Sequence, residues 1–420
     1  MKVVSFKKVI TCQVGDDLAG YGAGITSVAK HDDLYMRGLC MDDGTQKVVM
    51  ISFDLLGLDE DQDAMIRRIF HEETGIPEVN VILSCTHTHS GPHARKINRP
   101  GMFNERYMNE LYAWVRETAK ELSCAEFRET DVFFYGRHCP ENINRRVVAL
   151  EDNTCRGLPE HKELLPIADG ICDDELGILG FYDTEARQFT DVLVNFTAHP
   201  LATHVPYMKA GHSISADYPG YLRDFVERES GIPCTFFNGA AGDMFPKEYE
   251  QGFEAAEKLG TTLGKAALEC MVNMVRNRAR CQIREPKLQT RMIEVPVRVG
   301  DPTGRNCNRP KAGKPVIREQ LHLLTIGDDV CFVGVPGEML TELGLMIKWS
   351  SPYKKTFILY LSTDNVGYIC HPNAYIAGGY ESTKSLVDTM AGFKMVEAVV
   401  KNLYEMKGGD TALQVTDIEM

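Results

Sequence analysis

The sequence lacks several features that mark whole classes of protein. No apolar run approaches the roughly 18 to 20 residues that a membrane-spanning helix needs, so no membrane span is expected. The 46 lysines and arginines are outnumbered by 59 aspartates and glutamates, which leaves a net charge of −13. No basic run is long enough to track a phosphate backbone, so nucleic acid is not expected as a partner.

Disulfide and export signals are also missing. The 13 cysteines include no CxxC pair, which argues against a disulfide framework and against a cysteine zinc knuckle. The amino end, MKVVSFKKVITCQVGDD, is a short apolar segment broken by lysines, and it predicts no export signal. We therefore expect a cytoplasmic protein.

The composition is that of an ordinary globular protein. The 420 residues are 44% hydrophobic and 25% charged, and neither an internal repeat nor a linker divides them. The order of a strand at 47–53, a helix at 59–74 and a strand at 79–84 predicts an α/β architecture with a crossover connection. We expect one large domain over 1–420, with layered mixed β-sheets flanked by helices.

Apolar runs and helical periodicity predict further elements along the chain. The runs of strand length are 132–135, 192–196, 235–237, 330–335 and 356–361. The predicted helices are 104–122, 217–229, 252–274, 338–348 and 386–406.

Each main strand leads into an unusual polar or glycine-containing turn. These turns are CysThrHisThrHisSerGlyPro (85–92), ThrAlaHisPro (197–200), AsnGlyAlaAlaGlyAspMetPhePro (238–246), ProGlyGluMet (336–339) and SerThrAspAsnValGlyTyr (362–368). Ligands bind at the carboxyl ends of strands in open α/β sheets, because the loops there converge above a rigid scaffold. The five turns are therefore expected to share one crevice.

Histidines and one glutamate in these turns have the chemistry of a metal site. His87 and His89 are two residues apart, so on an extended segment both imidazoles project to the same side. With His199 and Glu338, His87 would complete a set of two histidines and one carboxylate, which suits a catalytic zinc with an open position. A plain loop or capping role remains the alternative for each histidine, and interaction with a helix dipole is the alternative for Glu338.

Other polar residues have equally simple alternatives. Asp217 is best explained as a helix cap, followed by Pro219 in the first turn. The small residues of 238–243 would turn backbone N–H groups towards an anion. Tyr368 and Tyr380 are most simply explained as core residues. Arg145 would clamp a carboxylate or a substrate hydroxyl, or face solvent.

Taken together and in order, the strings THTHSGP, NINR, NFTAHP, AGDMFP, VPGE, and GYI followed by GGYE resemble the catalytic domain of the neutral/alkaline, non-lysosomal ceramidase family. The resemblance covers nearly the whole chain. It implies a single zinc held by His87, His199, Glu338 and Tyr368. It also implies that His89, Arg145 and Tyr380 contact substrate or the developing oxyanion.

The sequence departs from the family pattern in two ways. Family members carry a serine in GDxSP that acts at the scissile amide, whereas this chain reads GlyAspMetPhePro, with Phe245 at the serine position. Relatives also commonly have a carboxyl-terminal immunoglobulin-like domain, which we do not expect here. Ceramide is therefore doubtful as the substrate, and a different, soluble small molecule is favoured.

These observations lead to one leading hypothesis and two rivals. The leading hypothesis is a zinc-dependent hydrolase in which metal-activated water attacks an amide or related acyl bond. His89, Arg145 and Tyr380 would act on the substrate, and Asp243 would support the loop around the metal. The rivals are a metal-dependent lyase or isomerase acting on a small polar or sugar-like molecule, and a non-catalytic metal-containing binding protein. Manganese, iron or nickel would also suit these ligands, and the sequence leaves the oligomeric state open.

Overall fold

Three large mixed β-sheets form the framework of the chain in the computed structural model, which describes residues 1–20, 24–96, 103–149, 154–157, 167–168, 170–203, 212–300 and 311–408. The strands are β1 (Lys2–Val9), β2 (Ser27–Lys30), β3 (Tyr35–Asp42), β4 (Lys47–Phe53), β5 (Val81–Cys85), β6 (Arg128–Glu129), β7 (Asp131–His138), β8 (Asn142–Asn144), β9 (Arg146–Ala149), β10 (Cys155–Gly157), β11 (Ile167–Ala168), β12 (Glu175–Asp183), β13 (Gln188–Phe196), β14 (His212–Ile214), β15 (Cys234–Asn238), β16 (Met244–Pro246), β17 (Gln282–Ile283), β18 (Leu288–Arg298), β19 (Val316–Ile326), β20 (Val330–Gly334), β21 (Glu338–Met339), β22 (Lys355–Leu359) and β23 (Tyr368–Ile369).

Helices cover these sheets. They are α1 (Glu60–Thr74), α2 (Glu105–Ser123), α3 (Tyr218–Ser230), α4 (Phe253–Arg276), α5 (Arg278–Cys281), α6 (Thr341–Ser350), α7 (Pro372–Ala377), α8 (Tyr380–Lys384) and α9 (Ala391–Met406), with a 3₁₀ turn at Glu78–Asn80. None of the helices in the described ranges is long and apolar enough to cross a membrane.

The same topological unit occurs three times in succession. The large sheets have the orders β5-β4-β3-β1-β6, β15-β13-β12-β7-β17 and β18-β19-β20-β22. In each sheet an antiparallel hairpin is followed by a crossover helix and a strand parallel to the second hairpin strand. A further helix packs on each crossover helix: α2 on α1, α4 on α3 and α9 on α6. We call residues 2–123, 131–276 and 288–406 units 1, 2 and 3. The repeat is visible in the topology alone, because the sequence shows no internal repeat.

Buried side chains join the three units at the edges of their sheets. Ser84 of unit 1 donates a hydrogen bond to the carbonyl of Tyr360 in unit 3, at 2.6 Å. Ser52 of unit 1 donates to the carbonyl of Phe236 in unit 2, at 2.6 Å. Asn195 of unit 2 donates to the carbonyl of Ile358 in unit 3, at 3.0 Å. Side chains of units 1 and 2 therefore satisfy carbonyls on or next to the edge strands β15 and β22, which an isolated sheet would leave unpaired there.

The predicted elements agree with the structure to within about four residues, apart from the segment at Glu338 and the predicted helix 386–406, which begins only at Ala391. Local chemistry explains the agreement: the Asp217 carboxylate caps α3, as predicted, by accepting from the Tyr218 N–H at 2.6 Å. Similarly, α1 ends at Gly75, whose φ of 72° is the left-handed conformation that glycine tolerates. A helix was predicted to open at Glu338, and that prediction is wrong. Glu338 lies in the short strand β21, and the helix begins at Thr341.

Candidate metal centre

Three of the four predicted metal ligands come together beyond the carboxyl ends of strands from the three large sheets. His87 follows β5, His199 follows β13, and Glu338 follows β20. Nε2 of His87 lies 3.4 Å from Oε2 of Glu338, and Nε2 of His199 lies 3.5 Å from the same oxygen. All three side chains are buried. The structure thus brings one residue from each unit to a single point.

Backbone carbonyls fix the orientation of both imidazoles. Nδ1 of His87 lies 2.6 Å from the carbonyl oxygen of Leu56, and Nδ1 of His199 lies 2.6 Å from that of Ala241. Because a carbonyl only accepts, each Nδ1 carries the proton and each Nε2 presents its lone pair to the site. His87 also has a positive φ of 72°, which is uncommon for a non-glycine residue and is found at functional sites.

Glu338 and Tyr368 are brought side by side by β21 and β23. The two strands are parallel, and Glu338 is the direct partner of Tyr368 across the ladder. Directly opposed residues of paired strands project to the same side, so the carboxylate and the phenol face the same way. The hydroxyl of Tyr360 donates to Oε2 of Glu338 at 3.3 Å, and its ring meets that of His87 edge-on, with centroids 5.4 Å apart.

His89 lies beside the two histidine ligands. The ligand nitrogens of His87, His89 and His199 all lie within 4.8 Å of one another. The backbone of Gly20 packs against the His89 ring so closely that a Cβ atom at Gly20 would lie 2.4 Å from Nδ1 of His89. His89 is therefore held next to the position that a metal ion would occupy.

Arg145 reaches the site from the other side and is fixed by several contacts. Its Nη2 donates to the hydroxyl oxygen of Tyr368 at 3.0 Å and to the carbonyl of Gly242 at 2.9 Å. Its Nε donates to Oε1 of Glu381 at 2.6 Å. The ring of Tyr380 lies 5.6 Å from the guanidinium and 5.7 Å from the Tyr368 ring, and 57% of Tyr380 is exposed. Tyr380 consequently stands at the solvent side of the site.

Asp243 supports the loop rather than pointing at the histidines. Its Oδ1 accepts from the Thr341 N–H at 2.8 Å, and its Oδ2 accepts from Nδ2 of Asn144 at 2.9 Å. Its carbonyl accepts from the Arg145 N–H at 2.8 Å. In the same loop the Gly242 N–H donates to the carbonyl of Met339, so that group is engaged within the protein and does not face an anion.

The electrostatics of the buried ligands are consistent with a cation site. Burial lowers the pKa of His199 to about 4, so its imidazole is neutral at physiological pH. Burial opposes the ionisation of Glu338, but the neighbouring His87 and His199 hold the pKa of this carboxyl well below its usual range. A divalent metal would bind these side chains as neutral imidazoles and an ionised carboxylate.

Comparison with known proteins identifies the fold. No protein-family model matches the chain. A curated neutral ceramidase of Pseudomonas aeruginosa is 29% identical over 182 residues, which cover 40% of this chain and 24% of that protein. The crystal structure of neutral ceramidase from P. aeruginosa superposes with a TM-score of 0.78 at 18% identity, over 97% of this chain and 74% of that one. The chain has the neutral ceramidase fold.

A second solved structure agrees. A ceramidase complexed with C2 superposes with a TM-score of 0.77 at 16% identity, and the match covers 97% of this chain and 75% of that one. The expected resemblance to neutral ceramidases is therefore confirmed, together with the α/β architecture of mixed sheets. In sequence the chain is a partial relative, because the matched region spans about a quarter of the curated neutral ceramidase.

Phe245 stands where the resemblance described above implies the serine of the neutral ceramidase pattern. Its ring centroid lies 5.7 Å from that of His199 and 4.9 Å from that of Tyr249. The guanidinium of Arg145 stacks over it at 4.8 Å. The side chain is only 8% exposed. An apolar ring thus forms the wall of the site where that pattern has a hydroxyl.

Sequence reasoning missed two residues of the candidate site. Tyr360 was absorbed into an apolar strand, although a tyrosine at a strand end before a polar turn is a usable signal. Glu381 was passed over beside Tyr380, yet it binds Arg145 through Oε1 and Nη1 of Arg146 through Oε2, at 2.6 and 2.5 Å. Two adjacent arginines need a counter-charge if they are buried. The pair Arg145 and Arg146 was therefore a usable signal for a nearby carboxylate.

Proposed function

We propose that this protein is a metal-dependent hydrolase of the neutral ceramidase type, with zinc held by His87, His199, Glu338 and Tyr368. The observation that carries the proposal is the convergence of two oriented Nε2 atoms on one Glu338 oxygen, at 3.4 and 3.5 Å. Nε2 of His199 is buried and has no hydrogen-bond partner in the described part of the chain, as expected of a ligand atom. A zinc ion there would supply Lewis acidity and a bound water of lowered pKa.

The remaining side chains have roles that follow from their positions. His89, beside the ligand nitrogens, would transfer a proton or donate to the oxygen of the scissile carbonyl. Tyr380, half-exposed above Arg145, would position the substrate where it enters from solvent. Arg145 would contact the polar part of the substrate. Asp243, whose carbonyl accepts from the Arg145 N–H, would hold the loop that carries Arg145.

The substrate would be a small molecule with an amide or related acyl bond. The relatives are ceramidases by name, and their activity is the source of this bond type. The Phe245 ring removes the hydroxyl that the family pattern places at the scissile amide. We therefore propose a non-lipid substrate and hydrolysis that needs no serine. A cytoplasmic location remains our prediction.

Phe245 also favours a second candidate, a metal-dependent lyase or isomerase acting on a small polar molecule. An apolar wall beside the histidines would then shape a pocket for a different reaction. A substrate screen separates the two candidates. Release of an amine or alcohol together with an acid, with one water added to the summed masses, supports the hydrolase. Two products whose masses sum to that of the substrate identify a lyase, and a single product of unchanged mass identifies an isomerase.

Metal content tests the proposal directly. The wild type and a His87→Ala, His199→Ala double variant are purified without added metal and compared by elemental mass spectrometry. We expect about one zinc per chain in the wild type and almost none in the double variant. The matched control is a His71→Ala, His138→Ala double variant, which removes two histidines outside the site and should keep its metal. Equal metal in wild type and site variant would contradict the proposal.

A further inference from the structure

One buried carboxylate clamps two consecutive arginines behind the candidate metal site. Oε1 of Glu381 accepts from Nε of Arg145 at 2.6 Å, and Oε2 accepts from Nη1 of Arg146 at 2.5 Å. Adjacent residues of an extended chain point to opposite sides, so two neighbouring guanidinium groups do not meet one carboxylate by default. Glu381 is 3% exposed, and both contacts are therefore shielded from water.

The two arginines have different further contacts. Arg146 continues away from the site, where its Nη2 donates to the carbonyls of Gly378 and Ala374, at 2.8 and 3.3 Å. Arg145 continues into the site, where its Nη2 donates to Tyr368 at 3.0 Å. Glu381 thus joins the segment that carries Tyr380 to the residue that holds the Tyr368 hydroxyl.

The Arg145 guanidinium has little freedom once Glu381 is in place. Its plane is bounded by the rings of Phe245, Tyr368 and Tyr380, whose centroids lie 4.8, 5.4 and 5.6 Å from its central carbon. Its Nε is directed by Glu381, and its Nη2 by Tyr368 and the carbonyl of Gly242. Without the carboxylate, Nε would lose its acceptor, and only the two contacts of Nη2 would resist rotation of the guanidinium between the rings.

We propose that Glu381 is a positioning residue of the metal site, which fixes Arg145 and through it holds the Tyr368 hydroxyl as the fourth metal ligand. The inference rests on the proposed metal site, and it adds a residue outside the ligand set. Groups that orient a ligand typically change metal affinity about 10- to 100-fold when they are removed. Loss of Glu381 should therefore weaken the metal site while leaving His87, His199 and Glu338 in place.

A tyrosine-specific signal tests the inference apart from activity. Full-length apo-protein is titrated with Cu²⁺, and both the affinity and the visible phenolate-to-copper charge-transfer band are recorded. Wild type should show the band, and Tyr368→Phe should lose it. Glu381→Gln should lose or shift the band and bind copper about 10- to 100-fold more weakly. Arg145→Lys should do the same, because a lysine cannot keep the forked contacts to Glu381 and Tyr368.

Arg146→Lys is the matched control, since it keeps a cation for Glu381 and leaves Arg145 untouched. It should retain the wild-type band. A wild-type band in Glu381→Gln would overturn the positioning role and leave the metal site standing. An equal loss in Arg146→Lys would overturn it as well, because general loosening of the segment would then explain the effect.

A wild type without the band, unchanged by Tyr368→Phe, would overturn the assignment of Tyr368 together with that of Glu381. Thermal unfolding of each variant identifies any that fails to fold. If Glu381→Gln does, Glu381→Asp, which keeps the charge on a side chain one carbon shorter, takes its place with the same two outcomes.

Discussion

Glu338 and Tyr368 are direct partners across the two-residue parallel ladder of β21 and β23, so their side chains project to the same side of it. The ladder explains how a carboxylate and a phenol from separate loops reach one site. Backbone hydrogen bonds of the ladder therefore set the relative position of Glu338 and Tyr368, and a substitution of either side chain leaves these bonds in place.

Glu338→Gln keeps the shape of the side chain and removes its charge. Because the carboxylate faces both imidazoles, we expect metal affinity to fall by more than tenfold, or about 1.4 kcal/mol. Competition with a chelator measures the change. Glu342→Gln is the control, since Glu342 pairs with His371 at 3.2 Å, away from the three ligands. Equal weakening in both variants would contradict a ligand role for Glu338, because Glu342 is not one of the candidate ligands.

Gly20→Ala should disturb His89 and spare the ligands. A Cβ atom there would lie 2.4 Å from Nδ1 of His89, so the imidazole must move. We expect the metal to be retained and turnover of any identified substrate to fall at least about tenfold. Gly15→Ala is a matched control, because Gly15 has almost the same φ, 104° against 102°, and open space around its Cβ position. Similar losses of turnover in both variants would point to backbone strain.

Asp54→Asn should destabilise the fold beneath the histidine loop. Asp54 and Arg223 form a fully buried bidentate pair at 2.7 and 2.9 Å, and Thr86, next to His87, also contacts Asp54. Removing the carboxylate leaves a buried guanidinium without its counter-charge, which costs about 3 to 5 kcal/mol. Chemical denaturation measures the cost. Glu229→Gln, which breaks an exposed pair with Arg228, should change the stability by less than about 1 kcal/mol.

His322 should make the stability fall on acidification. Its Nε2 donates to the carbonyl of Val79 at 2.7 Å, and burial lowers its pKa to about 3. The unfolded chain, with an ordinary histidine pKa near 6.5, binds the proton first, so the stabilisation is complete above that pH and is lost below it. Between about pH 7.5 and 5.5 the wild type should lose about 1.4 kcal/mol more than His322→Gln. Parallel pH profiles for the two proteins would refute this.

Sequence patterns predicted the strands and the ligand-bearing turns because both depend on local signals. The buried strands are apolar runs, as in β5 and β13, and His87 and His199 lie in the turns that follow these two strands. The environment of Glu338 could not be predicted in this way. Its helical preference was overridden by pairing with Tyr368, a contact between segments that no local pattern reports.

The same reason explains why Glu381 was missed. Its importance depends on two arginines that are more than two hundred positions away in the chain. The three repeated units also escaped notice, because topology is preserved where sequence similarity between the units is too slight to detect. In each case the missing information was which distant segments of the chain lie together in the fold.

The distribution of the candidate ligands over three units has a thermodynamic consequence. Unit 1 contributes His87, unit 2 contributes His199, and unit 3 contributes Glu338 and Tyr368, so each unit lacks donors that the other two provide. A cation that binds all of them adds its binding free energy to the docked state alone. An ion bound there would stabilise the three units as one cooperative structure, and its removal by a chelator would destabilise all three together.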